Sequence, residues 1–441
     1  MRRKILKYIF PGYLGIIFLD LNEYVTRFIG TEGVLSSLIL VVSLVLIAIG
    51  PLGGNVGRLN KSFLILFLGF ISLGALASAL EGTYNGLFST IRYYSSSLLI
   101  FLATIQVIRC TRKKSGITRI IKIIAFLLGI NSLIIIGSIT FGLDFHAGSN
   151  TVEIERAVGL YSNANKAGYV SVIGQILALL LFLSKRTKNV AFYFSLYLVC
   201  LFAAVVTFSK GAILVSLLLL GRIMLGSNKV SWQGKGVVSK SFIRGFVVVF
   251  SAVTAALILI LLYKSDFSVR QNDRLENLTL ILKGEFSDTT TTNRTSLVFF
   301  ALEEMRDSWF SGAGLGEFHR MENGYGTHNM YLLVLGEAGL FGLILYLYYL
   351  FVWAKISIGG DRFGDISFAL GNLLILFIFM GFTTHTLLAN KQMIVMLAVL
   401  FTGFRNHELT AKTKRVTSRF PDSRAGSKLA RKARVTPERN S

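Results

Sequence analysis

Residues 328–342 read His328-Asn329-Met330-Tyr331-Leu332-Leu333-Val334-Leu335-Gly336-Glu337-Ala338-Gly339-Leu340-Phe341-Gly342, and the apolar run continues to Trp353. Between Met330 and Trp353 the sole charged residue is Glu337. About 20 such residues cross the hydrocarbon core of a bilayer as a helix, which satisfies every backbone polar group within the segment. The stretch predicts a transmembrane helix with a histidine at its foot, a carboxylate one-third of the way along and glycines beyond. Similar runs recur up to about residue 405, so the chain reads as an all-α polytopic membrane protein.

Composition agrees. Of the 441 residues, 53% are hydrophobic, and the mean hydropathy is +0.62, far above a soluble domain. Hydropathy predicts about twelve transmembrane helices, near 8–22, 34–52, 62–80, 87–109, 118–141, 166–184, 189–207, 211–226, 243–263, 329–353, 365–384 and 391–405. No small-residue cleavage site follows the charged start Met1-Arg2-Arg3-Lys4, so no cleavable signal peptide is expected. With the N-terminus in the cytoplasm, the inner segments before the tail hold 22 Lys and Arg. The short outer segments hold six: Arg27, Arg92, Arg156, Lys166, Lys210 and Lys391. That asymmetry puts both termini in the cytoplasm. Of the 23 acids, 18 fall outside or just below the outer surface.

The net charge of +23 is therefore largely topology and does not imply nucleic acid. The organisation expected is a transmembrane bundle over 1–405 and a basic, disordered cytoplasmic tail over 406–441. The tail's charge suits either plain solvation or the anionic inner leaflet. Cys110 and Cys200 have no metal-ligand neighbours and are not expected to pair. One large extracytoplasmic loop runs over 264–328. Leu275, Leu278, Ile281 and Leu282, and then Leu297, Phe300, Ala301 and Met305, recur there at helical spacing. Two short amphipathic helices on the outer face, a helical cap, are expected.

Four motifs stand in order toward the outer face. They are Arg156-Ala157-Val158-Gly159-Leu160-Tyr161-Ser162-Asn163-Ala164-Asn165, then Thr207-Phe208-Ser209-Lys210-Gly211-Ala212, then the Arg294 to Phe318 stretch, and finally His328-Asn329 with Glu337, Gly339 and Gly342. Each is weak alone, but as an ordered set over roughly 156–404 they resemble the O-antigen polymerase and O-antigen ligase superfamily. These are integral-membrane glycosyltransferases that use undecaprenyl-diphosphate-linked sugars. The resemblance implies a glycosyltransferase type C-like architecture. It also implies an inverting transfer from undecaprenyl diphosphate on the outer face of the inner membrane. The partners it implies are a lipid-linked oligosaccharide, membrane lipids and a chain-length regulator.

Within that resemblance, His328 is the candidate general base toward the acceptor hydroxyl, since imidazole titrates near neutral pH. Free N–H groups at a helix start would favour anions there. Its structural alternative is a capping or interfacial histidine. Arg294, with a catalytic role, and Arg156 are candidate diphosphate clamps, because a guanidinium fork grips phosphate bidentately. Each could instead pair with a neighbouring acid, among Glu153, Glu155, Glu303 and Glu304. Lys210 stands where the resembling families show Ser-Arg-Gly; it keeps the charge but loses the fork, and an outer-end lysine is also an ordinary anchor.

Asn163, Asn165 and Asn329 are candidates for acceptor or sugar binding, and for Asn163 and Asn165 capping the next helix is an equal alternative. Glu337 lies nine residues beyond His328, about 13 Å along a helix and on the opposite face. It reads as a supporting residue paired with Lys210 or a helix end. Arg92 is a supporting candidate at the outer end of its span, or else an interfacial anchor. His319 and His385 are also external but sit in no matching motif, and rank below His328.

No Asp-X-Asp and no metal-spaced His/Cys cluster occurs, so neither metal nor cofactor is expected. A transporter of two similar halves would show internal repeats and often a long central cytoplasmic loop, whereas the large loop here is external. Polymerisation of O-antigen, capsular or exopolysaccharide repeats is favoured over ligation to a lipid or protein acceptor, and both over a flippase.

Overall fold

The computed structural model describes residues 2–22, 24–25, 34–49, 57–84, 86–110, 114–141, 158–161, 163–184, 189–226, 288–319, 326–358 and 365–419. The described residues form α-helices and two short 3-10 turns, with no strand among them. In chain order the helices are α1 (Arg2–Phe18), α2 (Val34–Ile49), α3 (Arg58–Glu81), α4 (Leu87–Cys110), α5 (Lys114–Thr140) and α6 (Ala164–Leu183). There follow α7 (Val190–Val206), α8 (Lys210–Gly226), α9 (Asp288–Glu304), α10 (Met330–Ile358), α11 (Asp365–Gly381) and α12 (Lys391–Arg419).

Eleven of the expected spans coincide with α1–α8 and α10–α12, while the one at 243–263 lies outside the described residues. Among the described residues five helices, α3 to α6 and α10, are long and apolar enough to cross a membrane, and α1, α2, α7 and α11 hold shorter apolar stretches. The outward surface agrees. Leu38, Val41 and Leu44 on α2, Ile65 and Leu68 on α3, and Leu347 and Phe351 on α10 are exposed. In water such a belt would be an aggregation hazard; in a bilayer it is the solvated face. The chain is a polytopic, helical membrane protein.

Two helices form the core. On α6 every residue from Ala167 to Leu181 is buried, and on α12 every residue from Gln392 to Phe404. Helices apolar on all sides are stable only when surrounded. Accordingly α6 packs on α5, α7, α8 and α11, and α12 on α4, α5 and α11. Close approach needs small residues: a Cβ at Gly174 of α6 would lie 2.7 Å from the Cys200 sulfur of α7.

Of the two expected loop helices, the second exists as α9, packed on α10. Ala301 and, just past its end, Met305 face inward, while Phe299 and Leu302 are exposed. The first, at 275–282, lies outside the described residues.

The sequence predicts an unbroken tenth span, but α10 is broken. Gly339 has φ +67° and ψ −169°, a conformation reserved almost wholly for glycine. The break frees backbone groups that a continuous helix would consume, and the chain around Phe310–Ala313 takes them. Leu340 N–H donates to the Phe310 carbonyl (3.2 Å), and Ala313 N–H donates to the Gly336 carbonyl (2.7 Å). A strap from the connection between α9 and α10 is thereby set into the interrupted helix.

Candidate functional site

The strap aims the side chains that follow it. Gly312, with φ +86°, lies so close to α10 that a Cβ there would meet the Glu337 carbonyl oxygen and the Gly339 nitrogen at 2.7 Å. Thr83 Oγ1 donates to the Ala313 carbonyl at 2.7 Å, and Leu315 N–H donates to Ser78 Oγ at 3.0 Å, tying the strap to the C-terminal end of α3. The strap ends in a 3-10 turn, Glu317–His319. Phe318 is buried against Gly336, and His319 is delivered beside Glu337.

Glu337 is fully buried. Its Oε1 accepts from Gly316 N–H at 3.1 Å and lies 2.8 Å from His319 Nδ1. Where the sequence offered Lys210 or a helix end as partner, the fold supplies His319. Tyr93 and Tyr94 of α4 pack edge-on around the His319 ring, centroids 6.2 and 5.8 Å away. His385, in the turn between α11 and α12, follows at 5.5 Å, and His328 stands 5.3 Å beyond it. Burial, then the neighbouring His319 and His328, push His385 down to about 4, so its ring is neutral at neutral pH. Glu317 is pushed up by burial and by the nearby Glu337 and Glu304.

His328 itself is exposed, with a left-handed backbone at φ +47°, just before α10. Asn329 caps that helix: its Oδ1 accepts from Tyr331 N–H at 2.9 Å and Leu332 N–H at 3.2 Å. Two of the donors that the sequence left to an anion are therefore occupied. Asn163 caps α6 in the same way, accepting from Asn165 N–H at 2.7 Å. Asn165 is half-buried and Arg92 is exposed, one residue before Tyr93. Lys210 is half-buried at the start of α8. Its corner seats against α6, where a Cβ at Gly168 would lie 2.8 Å from Ser209 Cβ. It seats also against the end of α11, where Gly211 faces Met380 and Thr383 on the approach to His385. Arg294 lies on α9, and Arg156 lies outside the described residues.

Two features escaped the sequence reading. One is the His319–His385 pair, whose histidines belong to different loops. A legible hint was the strap's Gly312-Ala313-Gly314-Leu315-Gly316 run, which ends three residues before His319. The other is an ion pair between the C-terminal end of α1 and the start of α6, Lys166 Nζ to Asp20 Oδ2 at 2.6 Å. Gln392 Nε2 donates to the Ile17 carbonyl at 2.8 Å beside it, and Ser97 Oγ of α4 donates to the Ala389 carbonyl at 3.1 Å. Through these contacts the ends of α1, α3, α4, α6, α8, α10, α11 and α12 gather at one pole. Among the described residues no group of three His, Cys, Asp or Glu side chains is arranged to hold a metal; the histidine rings stand edge to face rather than converging on a point.

No curated protein matches the chain. A family model described as O-antigen ligase matches residues 196–347, from within α7 to within α10. The matched stretch contains Lys210, Arg294, His319, His328, Asn329 and Glu337, and leaves Arg92, Arg156, Asn163, Asn165 and His385 outside it. The strap, Glu337, His319 and His328 thus lie within a stretch of the chain that is similar to the O-antigen ligase family.

Proposed function

We propose that the chain polymerises undecaprenyl-diphosphate-linked oligosaccharide repeat units on the outer face of the cytoplasmic membrane. The growing glycan passes from its lipid diphosphate to a hydroxyl of the next unit. The observation that carries this reading is the line of imidazoles ending at His328 inside the matched domain, at the pole that also holds Lys210. His328 takes the proton of the acceptor hydroxyl, the oxygen bonds to the anomeric carbon with inversion, and the bond from that carbon to the diphosphate oxygen breaks. Arg294, Arg156 and Lys210 hold the departing diphosphate and the charge that develops on it. Asn163, Asn165 and Asn329 line the sugar path, with Glu337 and Arg92 in support. Both termini are cytoplasmic in this reading, twelve spans form the bundle, and a chain-length regulator acts on it from outside.

Ligation to a lipid or protein acceptor is the second reading, favoured by the description of the matched family, O-antigen ligase. Purified protein given a defined lipid-linked repeat unit separates the two. A ladder of products on the lipid diphosphate supports polymerisation. Single transfer only upon addition of a second lipid acceptor supports ligation, and no transfer in either case rejects both.

Two further outcomes are expected in the same assay. Transfer persists in EDTA, because arginine and lysine neutralise the diphosphate without a cation; activity lost in EDTA and restored by Mg²⁺ contradicts this. Arg294→Lys keeps charge but loses the fork and lowers turnover by about tenfold or more, whereas Lys210→Arg is tolerated and Lys210→Ala is not. If both side chains are only surface anchors, worth about 0–1 kcal/mol, all three variants turn over at the wild-type rate.

A further inference from the structure

His319 and His385 belong to none of the motifs that carry the family likeness, yet they connect a fully buried carboxylate to His328. Glu337 Oε1 lies 2.8 Å from His319 Nδ1, which fixes the ring's orientation and turns its Nε2 away from the carboxylate. That Nε2 is buried without a hydrogen-bond partner among the described residues, as is Nδ1 of His385. The two rings stand nearly perpendicular, at 84°. Gly326 permits the approach, because a Cβ there would lie 2.7 Å from His385 Cε1 and 2.8 Å from the His319 carbonyl. Glu337 Oε2 is also buried without a partner among the described residues. A carboxylate so placed keeps much of its field, because water does not screen it.

We propose that Glu337, His319 and His385 are positioning residues that act on His328: the buried carboxylate orients the line of rings and strengthens His328 as a proton acceptor. This rests on the function proposed above. No proton needs to travel along the line. It moves from the acceptor hydroxyl to His328, and the carboxylate's charge favours the imidazolium that results. A neutral His385 suits the middle position, since it transmits orientation without competing for the proton. Among the described residues, other titratable groups around the line are Glu317 on the strap, Glu304 at the end of α9, and Tyr93 and Tyr94 on α4. Lys210 lies on the corner that packs against the turn before His385.

Glu337→Gln tests this, because glutamine keeps an oxygen that accepts from Gly316 and His319 and removes only the charge. The measurement is kcat/KM against pH on a defined lipid-linked repeat unit, for the wild type, Glu337→Gln, His328→Ala and the double variant. Without the carboxylate, the acid limb moves to lower pH by roughly half to one unit and the plateau falls about tenfold. In the double variant Glu337→Gln adds nothing to the loss caused by His328→Ala. An unmoved limb, or an additive loss, overturns the coupling. Should Glu337→Gln fail to fold, His385→Gln carries the same prediction for the plateau and for non-additivity. Absence of transfer by the wild type overturns the functional reading and the coupling with it, whereas transfer with an unmoved limb overturns only the coupling.

Discussion

His328→Ala is expected to lower glycosyl transfer by ~10²–10⁴ while leaving insertion and folding intact. The side chain is exposed at the foot of α10, so its removal leaves no buried cavity. Capping of α10 does not depend on it, because Asn329 supplies the acceptor for the first free N–H groups. The substitution leaves the neighbouring His385 ring in place. Expression and thermal midpoint should therefore match the wild type, and the loss should fall on turnover. Near-normal turnover by the purified variant would remove His328 from the chemistry.

Gly339→Ala is expected to damage the fold itself. A Cβ at this position would stand 2.2 Å from the Phe310 carbonyl oxygen and 2.6 Å from the Ser311 carbonyl carbon. Those are backbone atoms, which cannot swing aside as a side chain can. The left-handed φ alone costs an alanine about 1–3 kcal/mol. Relief requires the strap to lift or α10 to straighten. Either movement breaks the bonds from Leu340 to Phe310 and from Ala313 to Gly336, and draws Gly316 away from Glu337. The thermal midpoint in detergent should drop by about 5 °C or more, with activity lost alongside. An unchanged midpoint would mean that the strap does not depend on the break.

The contrast between these two residues shows where sequence reading succeeds and where it stops. The helical elements were legible because a bilayer demands long apolar runs, and α3 to α6 and α10 supply them without ambiguity. The second loop helix was legible from the spacing of Leu297, Phe300, Ala301 and Met305. Glu337 was recognisable as a buried carboxylate in need of a partner, but periodicity within one helix reports only neighbours in that helix. It put His328 and Glu337 on opposite faces, and nothing in it foretold a route between them through His319 and His385. The break at Gly339 escaped for a related reason: glycine inside an apolar helix is commonplace, and only contact with the strap shows that its missing Cβ is needed.

By itself, then, the sequence determined the class of the protein, a helical polytopic membrane protein, because hydrophobic length is a property of local segments. The tertiary structure alone decided which partner Glu337 takes, that α10 is interrupted to admit the strap, and that His385, from the turn between α11 and α12, stands in line between His319 and His328. Those are relations between segments far apart in the chain, set by packing of backbones at distances where a single methyl group would not fit.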